Sequence, residues 1–241
     1  MSDPATPRKR ILIGAECFAD AKAAMVIAEH LVRLVSAELG GLLLEDAEFE
    51  QIVATPHQRI ITAEGTFLAA PTQAQIRRAV AGDARAFRAS LERVASGLAI
   101  NWSFAQRSGA LFPLLREAAS DWDLLVIGHR GIHRRAGRVV VIQPLSADTP
   151  EVRGLIEGLA GALRAEILQV VAAPEHDRGG GGMADPATED QMLARIGRLN
   201  AAVVVVDATA GPLRTEDQLR HLLDAARCPV LVFGAAGIQA T

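Results

Sequence analysis

Residues Asp123 to Gly137 read DLLVIGHRGIHRRAG, and the fold turns on that stretch. Leu124 to Ile127 is a short apolar run, the pattern of a strand buried on both faces. Gly128 ends it, Gly131 follows, and His129, Arg130, His133, Arg134 and Arg135 crowd the same loop. A buried strand running into glycines and cations is where an α/β sheet receives a phosphate. Arg138 to Ile142, RVVVI, is a second buried strand only a loop away. A parallel crossover needs about a dozen residues or more. The second run therefore starts a new unit, and 123–137 is the joint between two.

Upstream, Arg10 to Gly14 (RILIG) is another buried strand. From Asp20, apolar residues recur at helical spacing through Leu39, and Gly40 and Gly41 predict the helix stop. Leu42 to Leu44 then reads as a second strand. Residues 47–71 keep no period and read as an insertion, either packed structure or a lid over the strand ends. Thr72 to Gln75 is a capping box opening a long helix, with Arg77, Arg78, Arg85, Arg88 and Arg93 on its polar face. Ile100, Trp102 and Phe104 alternate with smaller or polar residues, as in a strand near a sheet edge. A short helix at Leu111–Ala119 precedes the 124–127 strand.

Downstream the pattern begins again. Thr149-Pro150 marks a helix start, an apolar stripe runs to Leu163, and Ala165 to Ala173 reads as a strand. The stretches 35–44 (VSAELGGLLL) and 162–171 (ALRAEILQVV) look like one helix-to-strand passage used twice. Residues 174–187, with a run of glycines, read as a linker where the first unit has its long helix and edge strand. Thr188 to Gln191 and Thr215 to Gln218 are capping-box patterns, Val203 to Val206 a strand, and Pro229 to Phe233 the last strand. The expected fold is α/β: two doubly wound parallel-sheet units, 8–137 and 138–236, each truncated and packed as an internal pseudo-dimer.

Bulk properties narrow the function classes. A net charge of −3 gives no global support for nucleic-acid binding. No run approaches the ~18 apolar residues of a membrane span. Cys17 and Cys228 form no disulfide framework, so a cytoplasmic protein is the expectation. The histidines show no metal-ligand spacing, and nucleophile-elbow, P-loop and GxGxxG signatures are missing.

RILIGAE at 10–16, AELGGLLLED at 37–46, DWDLLVIGHRG at 121–131 and RCPVLVFG at 227–234 resemble the universal stress protein (UspA-like) family in its tandem form. The resemblance implies five-stranded doubly wound units, dimers in many members, and ATP binding in some. ATP-binding members carry an acidic residue after the first strand. After the fourth they carry glycine, two residues, glycine, nine residues, then glycine and a hydroxyl residue. On that basis Glu16, Gly128 and Gly131 are candidate contacts for ATP, ADP or AMP, with Gly14 at the same strand end. Arg130 and Arg134 join them because guanidinium groups of the basic loop pair with phosphoryl oxygens, not because the motif requires them. The last part of the motif would fall at Val141 and Ile142, which cannot supply it. In the second unit, Asp207 to Gly211 lacks the glycine pair, and Gln143 stands near the acidic position.

Two readings of HRGIHRR stand side by side: a solvated connector, or arginines holding an anion directly. Glu16 either contacts a ribose or simply sits at a loop. Cys17, beside the same strand end, is either a redox-sensitive thiol or a half-buried one, and Cys228 reads as packing. The expected function is a non-catalytic binding or signalling protein, with nucleotide binding degenerate or limited to the first half. The alternatives are an ATP-binding protein with at most slow hydrolysis, and a structural protein whose sheet edges pair two copies. Its form would be a monomer with an internal pseudo-dimer, or a homodimer with protein partners.

Overall fold

The structure is a computed structural model that describes residues 9–35, 37–45, 59–61, 67–69, 72–129, 137–145, 149–171 and 186–240. Strand β1 (Lys9–Ala15) leads to helix α1 (Phe18–Leu34), β2 (Ala37–Glu45), the short strands β3 (Arg59–Ile61) and β4 (Phe67–Ala69), and helix α2 (Gln73–Leu98). β5 (Trp102–Ser108), α3 (Leu111–Ala119) and β6 (Leu124–Ile127) complete the first run. The second run holds β7 (Arg138–Gln143), α4 (Pro150–Leu163), β8 (Ile167–Val171), α5 (Pro186–Arg198), β9 (Ala201–Asp207), α6 (Glu216–Ala226) and β10 (Val230–Phe233).

The fold is α/β, as the alternation of patterns predicts. The two runs share one eight-stranded sheet, ordered β5-β2-β1-β6-β10-β9-β7-β8. Strands are parallel within β5-β2-β1-β6 and within β10-β9-β7-β8. They reverse once, at β6 and β10, where Val230 lies opposite Ile127 and Phe233 opposite Leu124. The seam is apolar on both faces. Leu124, Val126, Leu231 and Phe233 join one core layer; Leu125, Ile127, Val230 and Val232 join the other. Pairing these two edges removes both from solvent. Helices α1, α2 and α4 cover the first layer, and α3, α5 and α6 cover the second.

The two runs repeat one register. Lys9 of β1 lies opposite Ala37, and Val139 of β7 opposite Ile167, the same step of 28 positions (9 to 37, 139 to 167). Ile11 and Val139 both face the first core layer. Matching them sets Ala37-Glu38-Leu39 on Ala165-Glu166-Ile167, one position from the match of 35–44 with 162–171.

Local chemistry fixes the helix starts. Thr72 and Gln75 form the expected capping box, as do Thr215 and Gln218, and Thr149 caps α4 ahead of Pro150. Helix α5 already begins at Pro186, a residue suited to a first turn, so Thr188 lies inside the helix and not at the N-cap position expected for it. The predicted stop at Gly40-Gly41 is also corrected. Helix α1 ends at Leu34, and both glycines lie inside β2. A Cβ on Gly40 would stand 2.3 Å from the Trp122 ring, and one on Gly41 2.3 Å from Leu91 Cδ1. Glycine there serves close packing of side chains on both sheet faces, not a helix end.

β5 stands at one end of the sheet, as its alternation suggests, and Phe104 meets Phe87 of α2 edge to face at 5.6 Å. Within 47–71, β3 and β4 pair as an antiparallel ribbon that the sequence reading misses. Among the described residues no helix is long and apolar enough to cross a membrane.

Candidate functional site

Strand order reverses direction at β1, whose neighbours are β2 on one side and β6 on the other. The carboxyl ends of β1 and β6 therefore flank the crevice where an open α/β sheet takes a ligand. Gly14 and Gly128 meet there, the Gly128 N–H donating to the Gly14 carbonyl at 2.8 Å. Both glycines have packing reasons. A Cβ on Gly14 would stand 2.3 Å from Leu115 Cδ2, and one on Gly128 would stand 2.6 Å from the carbonyl oxygen of Asp20. Glu16 follows β1 and is exposed. Arg130, Gly131 and Arg134, the other three candidates, lie outside the described residues.

Helix α1 starts at this crevice, with Cys17 as N-cap in extended conformation. Its first turn carries Asp20, and the backbone N–H of Phe18 donates to Asp83 Oδ2 of α2 at 3.1 Å. A carboxylate from a neighbouring helix thus takes a donor that an anionic ligand would need, and sits where the helix dipole favours negative charge. No sequence signal singles out Asp83, because it comes from the middle of the arginine-bearing helix. His129, next to Gly128, has a buried Nδ1 without a hydrogen-bond partner among the described residues.

The Cys17 thiol donates to Asp20 Oδ2 at 2.9 Å. Burial first, and then this hydrogen bond, push its pKa above the ordinary thiol value. A reactive thiolate needs the opposite shift. The geometry thus corresponds to the half-buried thiol. Cys228 is buried, as expected, and burial pushes its pKa up to about 12.

In the second run the equivalent reversal lies between β7 and β9. Asp207, 2% exposed, ends β9 there. Its Oδ1 accepts from Thr209 N at 2.8 Å, Thr209 Oγ1 at 2.6 Å and Ala210 N at 3.2 Å. Arg214 closes the loop by donating from Nε to the Gly211 carbonyl at 2.7 Å. These bonds fold the turn back on itself. Beside β7, a cleft of about 470 Å³ is lined by Val141, Gln143, Leu145, Ile156, Ile167 and Gln169. Among the described residues, no group of three or more His, Cys, Asp or Glu side chains is placed to hold a metal ion.

No protein-family model and no curated protein matches the sequence. A solved universal stress protein from Archaeoglobus fulgidus DSM 4304 is similar over 92% of this chain and 95% of its own, at 10% identity and a TM-score of 0.39. At that identity and score the likeness carries no argument about this chain.

Proposed function

We propose that this chain is a non-catalytic binding or signalling protein of universal-stress type. In this reading it consists of two shortened repeats, 8–137 and 138–236, arranged as an internal pseudo-dimer, with adenine-nucleotide binding lost or confined to the first. The observation that carries the reading is the antiparallel β6–β10 pair. β10 reaches the candidate crevice from the C-terminus of α6, through Arg227, Cys228 and Pro229. The helix end nearest β6 on that side therefore offers carbonyl oxygens and partial negative charge, where a phosphate needs N–H donors. The other helix end at the crevice, the start of α1, already holds Asp83. Its working contacts are protein surfaces rather than nucleic acid or membrane.

One observation favours a second reading, in which ATP, ADP or AMP binds the first run through Glu16 and the Gly128–Arg135 loop. The buried Nδ1 of His129, which has no hydrogen-bond partner among the described residues, lies at that end. Titration calorimetry with the three nucleotides separates the two. No heat is expected from any of them. Saturable micromolar binding that Arg130→Ala abolishes shows that binding is kept in the first run rather than lost and establishes the second reading, whereas binding that Arg130→Ala leaves intact overturns both.

A further inference from the structure

We propose that β8 is a docking edge for a second copy of this chain, joined to the same strand of that copy in antiparallel fashion. β8 ends the sheet, and among the described residues it pairs only with β7. Its sequence, ILQVV, carries no charge. Ile167 is 40% exposed and Val171 is 63% exposed, an unusual display for large aliphatic side chains on a strand. The other end of the sheet is guarded. On β5, Arg107 pairs with Glu117, and Gln106 and Ser108 both bond Glu45. The repeat sharpens the contrast. Leu39 and Leu43, which hold in β2 the places of Ile167 and Val171, are 0% and 1% exposed beneath α2. Among the described residues no helix takes that place over β8.

The strand is complementary to itself about Gln169. A two-fold axis through Gln169 sets Ile167 opposite Val171 of the second copy, Leu168 opposite Val170, and Gln169 opposite Gln169. Both faces then carry aliphatic cross-strand pairs, with amide against amide at the centre. The molecule already contains a joint of this kind. At β6 and β10 two parallel runs meet as antiparallel strands, apolar on both faces. The two-fold contact is closed, so association stops at two copies. It holds whether or not a nucleotide binds the first run, since β8 lies in the second.

Light scattering on the full chain at micromolar concentration is expected to give twice the monomer mass. Val171→Lys is expected to return the monomer with an unchanged circular dichroism spectrum. An independent readout uses Gln169→Cys in a Cys17→Ser background. The axis brings the two α-carbons to about 4.5–5.5 Å, the spacing of antiparallel partners, and this lies within disulfide reach. Mild oxidation should then give a covalent dimer, while Ser103→Cys on β5 should give none. A monomeric wild type that also yields no covalent dimer through Gln169→Cys overturns the proposal. So does a dimer that crosslinks through Ser103→Cys instead.

Discussion

Arg116 Nε lies 2.6 Å from Glu216 Oε1, tying α3 of the first run to α6 of the second beneath the β6–β10 seam. The Glu216 side chain is only 9% exposed, whereas Arg116 keeps 42% of its surface. Removing the arginine leaves a nearly buried carboxylate without its ion partner. Arg116→Ala is expected to cost about 1–3 kcal/mol in urea unfolding. The exposed Arg33–Glu29 pair on α1 is the contrast: Arg33→Ala should cost no more than about 0.5 kcal/mol. Equal losses at the two sites would show that the seam pair carries no special weight.

Gly128 is the candidate-site residue whose packing role can be separated from any ligand. The neighbour a Cβ would strike is the Asp20 backbone carbonyl, which cannot rotate away. Gly128→Ala should destabilise the protein by about 1–3 kcal/mol with no ligand present. Gly82, within α2, has nothing within 4 Å of the added atom. Gly82→Ala should instead stabilise by about 0.5–1 kcal/mol. Thermal unfolding of the two variants reads both signs.

Among the described residues, three helices end in a non-glycine residue with left-handed backbone: Ala99 at φ 52°, Arg164 at φ 52° and Arg227 at φ 51°. The Ala99 N–H closes α2 by donating to the carbonyls of Ala95 and Ser96. An L-residue there costs roughly 1–2 kcal/mol that glycine avoids. Ala99→Gly is expected to raise stability by about 1 kcal/mol, offset in part by the freedom glycine gains in the unfolded chain. A loss of stability would contradict the left-handed geometry at this position.

Cys228 links stability to alkaline pH. Its folded pKa stands at about 12, against 9.0 for the free thiol, because burial penalises the thiolate. Between those values the folded state holds a proton that the unfolded state has lost. The contribution is therefore complete below pH 9 and is lost as pH rises towards 12. Cys228→Ala should flatten the stability profile in that window. Alkylation at neutral pH should be slow at Cys17, whose pKa is also raised by burial and by Asp20, and slower still at Cys228. Rapid labelling of Cys17 in the folded protein would restore the redox reading.

Part of the site was legible and part was not. Gly14 and Gly128 were readable because each directly follows an apolar run, and strand ends are where crevices form. Asp83 was hidden, because what matters is not its place in α2 but the 65 positions of chain that fold it back onto Phe18. The Gly40-Gly41 pair misled for a related reason. Two glycines after an amphipathic stretch are a sound helix stop by local rules, and only Trp122 and Leu91, brought in from far along the chain, make them strand residues.

The sequence by itself determined the α/β class, the elements of both runs other than β3 and β4, and most helix starts. Those depend on periodicity and on caps spanning three or four residues, which act before any tertiary contact forms. Tertiary structure decided that the two runs share one sheet, reversed at β6 and β10, and that among the described residues β5 and β8 are its two ends. Strand order is settled by which apolar edges can cover one another, and that choice involves residues a hundred positions apart, beyond the reach of any local pattern.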